Sequence, residues 1–184
     1  MDMKARLLGA ITAGAIIIAG AAYAASNPMV GGAAMYDNKT IVENALNSKD
    51  HTTLVAAVKA AGLVETLQGD GPFTVFAPTN EAFDMLPAGT VDNLVKPENK
   101  GTLTTVLTYH VVAGKWDSQA LSAAIAASAN KLTVKTVQGE PLTITGKGKD
   151  LTITDAKGGV AHVTIADVYQ KNGVIHVVDK VLMP

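Results

Sequence analysis

The spacing of apolar residues changes once along this chain, near Asn130. Before that point apolar residues recur at helical spacing, and after it they alternate with polar ones, as in the segment LTIT at 142–145. Helical spacing predicts amphipathic helices, whereas alternation predicts strands with one face in water. The sequence therefore predicts an α+β fold, in which helices of the first half pack on a largely antiparallel sheet or sandwich formed by the second half.

The first half contains five predicted helices and two short strands. Apolar spacing and capping residues place the helices at 40–47, at 52–61, after the Thr79-Asn80 pair, at 102–108, and after Asp117 or Ser118. The strands are predicted at 73–77, which Pro78 ends, and at 109–112. For the helix at 52–61, we expect Asp50 or Thr52 to cap its start and Gly62 to end it.

The second half is predicted to be sheet. Alternating strands are expected at 132–135, 142–145 and 151–154, and the glycine-rich turns at 146–148 and 157–159 favour antiparallel hairpins. The last apolar run, at 174–182, is broken only by His176 and Asp179. Such a run is typical of a central strand that is buried on both faces.

The start of the chain has the pattern of a secretory leader. Lys4 and Arg6 precede an apolar stretch at 7–22, and Ala22-Tyr23-Ala24 supplies the small side chains that signal peptidase needs. We expect a signal peptide at 1–24, cleaved after Ala24. An N-terminal arm at 25–38 and a single domain at 39–184 would follow.

An uncleaved membrane anchor is the alternative for this segment. Apolar residues continue to Ala25 and approach the ~20 residues that span a bilayer. Gly9, Gly14 and Gly20 weaken that interpretation, and the polar residues at 26–28 favour cleavage. The mature protein is therefore expected to have no stable membrane span.

Composition and motifs exclude several functions. The chain has no cysteine, and its formal net charge is −1 with lysines scattered among acids, so neither thiol chemistry nor nucleic-acid binding is expected. Its histidines show no helical i, i+4 pair of the kind that binds zinc. No Gly-x-Ser-x-Gly elbow is present, and serines such as Ser48 and Ser118 are expected at caps or on the surface. We expect no catalytic residue, no cofactor and no metal.

Three segments together resemble the signatures of fasciclin domains. They read GPFTVFAPTNEAF at 71–83, YHVV at 109–112 and NGVIHVVDKVL at 172–182. The resemblance extends from about Ile41 to Pro184. It implies a wedge-shaped, mostly antiparallel β-sandwich with helices packed on it, in an exported or surface protein that mediates adhesion and not catalysis.

The resemblance also supplies the candidate partner-binding residues. Animal members that bind integrins are associated with a Tyr-His region and an Asp-Ile pair, and the matching positions are Tyr109-His110 and Asp167-Val168. Ala166 stands where adhesive members often have proline, and Val168 replaces isoleucine. Asn80 stands where aspartate is common, a difference expected to be neutral because either side chain can cap a helix.

A structural role is the alternative for these candidate residues. Tyr109 and His110 lie at a predicted helix-to-strand junction, where a ring and an imidazole can satisfy local backbone groups. Asp167 lies near a predicted turn, where a carboxylate can accept hydrogen bonds from loop amides.

Two functions remain open from the sequence. The favoured one is an adhesion module that binds a protein or polysaccharide of the cell envelope, a matrix or a host, through weak contacts strengthened by many copies or by self-association. The alternative is a periplasmic carrier that holds a small apolar ligand between helices and sheet. Both interpretations place the mature protein in the periplasm or outside the cell.

Overall fold

The computed structural model of the protein describes residues 27–184, so the predicted signal peptide lies outside the described residues. The helices are α1 (Ile41–Ala45), α2 (Thr52–Ala61), α3 (Val64–Gln68), α4 (Asn80–Asp84), α5 (Thr90–Leu94), α6 (Lys100–Tyr109) and α7 (Ser118–Ala127). The strands are β1 (Met29–Val30), β2 (Ala33–Ala34), β3 (Phe73–Pro78), β4 (Val111–Ala113), β5 (Leu132–Lys135), β6 (Pro141–Lys147), β7 (Asp150–Thr154), β8 (Val160–Gln170) and β9 (Gly173–Val178). Short 3₁₀ turns at Lys49–His51 and Pro97–Asn99 precede α2 and α6.

Strands β3 to β9 form one sheet in the order β4-β3-β9-β8-β7-β6-β5. Neighbouring strands are antiparallel except β3 and β9, whose parallel register runs from Phe73 opposite Gly173 to Pro78 opposite Val178. All residues of β9 are buried, as expected for a central strand. The prediction of helices with a mostly antiparallel sheet is therefore confirmed.

The two edge strands of this sheet approach each other. Val112 of β4 pairs with Thr136, the residue after β5, in an isolated antiparallel bridge. The Val137 N–H donates a hydrogen bond to the Val111 carbonyl at 2.8 Å. The sheet is nearly closed, so the expected wedge-shaped sandwich is not confirmed in that form.

Strand β8 pairs with β7 through its first residues and with β9 through its remaining residues. Its β7 register ends at His162, which lies opposite Thr152. The rest of β8 pairs with β9 across two irregularities in register. Helix α7 contacts the turn between β6 and β7. There the Ser122 hydroxyl oxygen accepts a hydrogen bond from the Gly148 N–H at 2.8 Å.

Two apolar clusters hold these elements together. One packs α1 to α6 on β3, β8 and β9 and includes Leu54, Phe83 and Ile175. The other lies between α7 and the sheet and includes Leu121 and Ile144. Among the helices of residues 27–184, none is both long and apolar enough to cross a membrane.

Several helix ends follow local sequence signals. Thr40 starts α1, Thr79 starts α4 and Asp117 starts α7, each by accepting a hydrogen bond from the N–H three residues later. Gly62 ends α2 in the left-handed conformation. The predicted roles of Thr79, Asp117 and Gly62 are confirmed.

The predicted caps of α2 are wrong, because neither Asp50 nor Thr52 caps this helix. The cap comes from α4 instead: the Asn80 side-chain oxygen accepts hydrogen bonds from the Thr53 N–H at 3.0 Å and the Thr52 hydroxyl at 3.2 Å. The Asn80 amide also donates to the Lys49 carbonyl at 2.8 Å. Aspartate lacks this donor, so the structure does not support the expectation that the two residues are equivalent at position 80.

One strand begins later than the sequence predicts. Tyr109 is the last residue of α6, His110 is its C-cap, and β4 begins only at Val111. The helix continues through Tyr109 because the His110 N–H still bonds to the Leu107 carbonyl at 3.1 Å.

The described part of the N-terminal arm packs against the helices. Strands β1 and β2 form a hairpin, and Val30 and Met35 are buried in the cluster around α1 to α6. The Tyr36 N–H donates to the side-chain oxygen of Asn44 at 3.1 Å, and the Asn44 amide donates to the Tyr36 carbonyl at 2.6 Å. This part of the arm is thus integrated into the domain.

Candidate functional site

Tyr109 is fully buried at the end of α6. Its phenol donates a hydrogen bond to the Pro141 carbonyl at 3.0 Å and accepts one from the Ala156 N–H at 2.9 Å. Burial raises the pKa of Tyr109, which keeps the hydroxyl protonated and able to make both bonds. One side chain thereby ties α6 to the start of β6 and to the turn between β7 and β8.

His110 is buried next to it and held in one tautomer. Its Nδ1–H donates to the Val106 carbonyl at 2.8 Å, and its Nε2 accepts a hydrogen bond from the Leu182 N–H at 2.9 Å. Burial lowers the pKa of His110 to about 4, so the ring is neutral near pH 7. The ring fixes the C-terminal segment after β9 to α6.

Asp167 anchors the start of α7 to β8. It lies in an irregularity of β8 with a left-handed backbone, φ 61°, a conformation that aspartate and asparagine tolerate better than most residues. Its Oδ1 accepts a hydrogen bond from the Ser118 N–H at 2.6 Å, and its Oδ2 accepts one from the Ser118 hydroxyl at 2.5 Å. Val168, the next residue, is buried in the cluster around α1 to α6.

The loop before α7 is fixed by a second set of hydrogen bonds. The Nε2–H of His176, from β9, donates to the Trp116 carbonyl at 2.7 Å. The Thr74 hydroxyl, from β3, accepts from the Trp116 N–H at 2.8 Å and donates to the Gly114 carbonyl at 2.7 Å. His176 is completely buried, and burial lowers its pKa. Residues 114–118 are therefore held by β3, β8 and β9 together.

The structure does not bring the four sequence-predicted contact residues onto one open surface. Tyr109 belongs to the cluster under α7, whereas Val168 belongs to the cluster around α1 to α6. His110 is buried, and both carboxylate oxygens of Asp167 have internal partners. Their hydrogen bonds match the structural alternative, and partner contact remains a prediction for all four.

An open cleft lies beside Asp167, where β8 separates from β7. Its volume is ≈ 830 Å³, and we refer to it as the β8 cleft. Its walls include Lys115 from the loop after β4, Lys149 from the turn between β6 and β7, and Tyr169 and Lys171 from the end of β8. The arm supplies Asn27, Pro28, Met35 and Asp37 on another side.

Tyr169 is the half-exposed aromatic residue of the β8 cleft, with 39% of its surface accessible. Its hydroxyl donates to the Asp117 carboxylate at 3.3 Å, and the Lys115 Nζ lies 4.8 Å from the ring centroid. Partial burial, together with the charges of Asp167 and Asp117, raises the pKa of Tyr169. Sequence reasoning missed this residue. The alternation of β8 was the available signal, since Val168 faces the core and its neighbour must face outward.

Two apolar cavities lie among the helices, with volumes of ≈ 40 Å³ and ≈ 30 Å³. Both are lined by Ile41, Leu54 and Val75. Sites for drug-sized ligands usually have volumes of about 300–1,000 Å³. Neither cavity has room for a lipid or a pigment in this conformation.

Within residues 27–184, no group of three or more His, Asp or Glu side chains is placed to hold a metal ion. Ser48 and His51 resemble a nucleophile and base, with the Ser48 Oγ 2.9 Å from the His51 Nδ1. Both are buried, as is Ser118, so the expected surface position is wrong for the two serines, although Ser48 does take the N-cap position of the 3₁₀ turn at Lys49–His51. A buried hydroxyl of this kind has no access to a substrate.

Sequence relatives cover most of this chain. Protein sll1483 of Synechocystis sp. is 49% identical over 148 residues, which cover 79% of this chain and 73% of the relative. Immunogenic protein MPB70 of Mycobacterium bovis is 40% identical over 172 residues, or 89% of this chain and 79% of the relative. Cell surface glycolipoprotein MPB83 of the same species is 36% identical over 170 residues, or 89% and 70%.

A solved structure has the same fold. The FAS1 domain pair from the insect cell adhesion molecule fasciclin I matches with a TM-score of 0.69 at 16% identity. The match covers 79% of this chain and about half, 51%, of that two-domain chain. The fasciclin domain model matches residues 49–184. The chain therefore belongs to the fasciclin domain family.

Proposed function

We propose that this protein is a non-catalytic surface-interaction module that binds a protein or polysaccharide of the cell envelope, a matrix or a host. The observation that carries the proposal is the β8 cleft, an open, charged concavity with a half-exposed tyrosine. Tyrosine is enriched in binding surfaces because it offers a large, stiff, amphipathic contact area. The name of the relative MPB83, a cell surface glycolipoprotein, supports a surface location.

The walls of the β8 cleft are held in place before any partner arrives. The chain neighbours of Lys115, Gly114 and Trp116, are bonded to β3, and the lining residue Tyr169 is bonded to Asp117. A preorganised surface loses little conformational entropy on binding, which supports an interaction role for this side of the molecule. The family relationship and the burial of Ser48 and His51 favour binding over catalysis.

Export is part of this proposal. The signal peptide at 1–24, cleaved after Ala24, would deliver an arm at 25–38 and a fasciclin-like domain at 39–184 to the periplasm or the cell exterior. Contacts through one open cleft are individually weak, so we expect binding to strengthen when many copies are displayed or when the protein self-associates.

The carrier function has less support. Its apolar ligand would need a cavity many times larger than the ≈ 40 Å³ found among the helices.

The proposal is tested by the binding of the purified protein to its own cell envelope and to matrix proteins. We expect saturable binding that Tyr169→Ala weakens. Tyr36→Ala is the matched control. The Tyr36 ring is also half-exposed, and the Lys39 Nζ lies 4.9 Å from the ring centroid, but Tyr36 does not line the β8 cleft. Tyr109→Ala and Asp167→Ala are unsuitable contact probes, because they remove internal hydrogen bonds.

Equal weakening by the two tyrosine variants would move the contact surface away from the β8 cleft. Absence of saturable binding to every surface would contradict the interaction function. Native mass spectrometry of the same material would then decide for the carrier if a lipid or pigment copurifies.

A further inference from the structure

We propose that the β8 cleft binds an anionic polysaccharide, whose carboxylate or sulfate groups are held by Lys115, Lys149 and Lys171. This inference rests on the proposed surface-interaction function and names its ligand class and site. It begins from the fact that three lysines from distant segments line one concavity, although lysines are scattered along the sequence.

The three lysines lie on three separate parts of the cleft wall. Lys115 precedes α7, Lys149 is in the turn between β6 and β7, and Lys171 follows β8. All three side chains are exposed, and the Lys115 ammonium lies against the Tyr169 ring, 4.8 Å from its centroid. Positive charges distributed along an open wall suit a polymer with repeated negative charges better than a single small anion.

The acidic residues that line the cleft, Asp37 and Asp167, offset only part of that charge. Both oxygens of Asp167 accept hydrogen bonds from Ser118, and Asp117 accepts from Ala120 and from Tyr169. These carboxylates are directed to internal donors. The lining residues thus hold three lysines against two acids, an excess of one positive charge.

Tyr169 adds the contact that a sugar ring can use. Its ring is half-exposed in the β8 cleft, and its orientation is fixed at one end by Asp117 at 3.3 Å. Aromatic rings pack against the C–H faces of sugars, while lysines pair with the acidic substituents. Protein partners typically place an apolar anchor in a well-packed pocket, whereas this cleft is open and most of the residues that line it are polar or charged.

The test uses polygalacturonate and dextran sulfate as anionic probes, with neutral dextran and poly-glutamate for comparison. We expect the purified protein to bind at least one anionic polysaccharide and not dextran, with an affinity that falls as NaCl is raised, because salt screens exposed charges. The variant Lys115→Gln/Lys149→Gln/Lys171→Gln should bind about tenfold more weakly.

The matched control is Lys131→Gln/Lys135→Gln/Lys157→Gln, which removes the same charge from exposed positions outside the β8 cleft. It should bind within about twofold of the unchanged protein if the site is local. Equal losses of affinity in the two triple variants would show that the polysaccharide does not bind at the β8 cleft. Tighter binding of poly-glutamate than of either polysaccharide would overturn the ligand class.

Failure of this inference is distinguishable from failure of the proposed function. Envelope binding without affinity for either anionic polysaccharide would contradict the inference and leave the surface-interaction function in place. Loss of both kinds of binding would contradict both.

Discussion

Buried neutral histidines connect distant parts of this fold. His110 joins α6 to Leu182, and His176 joins β9 to the loop before α7. A protonated imidazole has no acceptor, so charging His110 would turn its Nε2 into a donor facing the Leu182 N–H. Burial lowers the pKa of His51 as well. All three rings therefore favour the neutral form in the folded protein.

We expect the free energy of unfolding to fall as the pH is lowered from about 6.5 to about 4. Unfolded histidines take up protons near their ordinary pKa of 6.5, whereas folded His110 does so only at about 4, so the unfolded state binds more protons between these values. The loss due to His110 approaches about 1.4 kcal/mol per pH unit, and the lowered pKa values of His51 and His176 act in the same direction. Urea unfolding across this range measures it, and a constant free energy would contradict the prediction.

Tyr109→Phe should lower the free energy of unfolding by about 1–3 kcal/mol. The substitution keeps the ring but leaves the Pro141 carbonyl and the Ala156 N–H without their shared hydroxyl partner. Chemical denaturation measures the change. Tyr36→Phe, at a half-exposed ring, is the control and should stay within about 0.5 kcal/mol of the unchanged protein. Equal values for the two variants would refute the internal role of Tyr109.

At the scale of elements, Asn80 holds two helices together. It is the first residue of α4, yet its side chain caps α2 and bonds to the turn before it. We expect Asn80→Ala to destabilise the protein by about 1–2 kcal/mol, and Asn80→Asp by less, since aspartate keeps the acceptor and loses the donor.

Hydrogen exchange separates this role from ordinary capping. Asn80→Ala should speed exchange of the Thr53 amide in α2, whereas Thr79→Ala should speed exchange of the Ala82 amide in α4. Acceleration confined to α4 in both variants would show that Asn80 does not cap α2.

The elements show which features a sequence can reveal. Thr79, Asp117 and Gly62 were predictable because a cap acts on residues at most a few positions away. The bond from Thr53 to Asn80 spans 27 positions, and the parallel pairing of β3 with β9 joins segments still farther apart. Neither of these long-range contacts produces a pattern among neighbouring residues of the sequence.

The same distinction applies to the candidate site. The family motif led to Asp167, which does lie on the β8 cleft. It could not reveal the cleft itself, because Lys115, Lys149 and Lys171 become neighbours only after β8 separates from β7. Tyr109 and His110 were found by the same motif, but their partners lie inside the protein.

At the scale of the whole molecule, the arm contributes to stability although the family match begins at residue 49. Met35 is buried in the cluster around α1 to α6, whereas Met29, on the same hairpin segment, is 59% exposed. We expect Met35→Ala to cost about 2–5 kcal/mol of unfolding free energy and Met29→Ala to cost little. Thermal or urea unfolding of the two variants measures these changes. Similar small losses of unfolding free energy in both variants would show that the arm is dispensable for stability.

The position of β9 determines when this sheet can form. β9 follows β8 in sequence but lies between β3 and β8 in the sheet, and its parallel partner β3 is synthesised much earlier. A ribosome releases residues in chain order, so β3 and β8 lack their shared neighbour until Gly173–Val178 has emerged. Pairing between such distant segments is also slow compared with local helix formation. The strand between β3 and β8 is therefore added to the sheet only after β3 to β8 have all been synthesised.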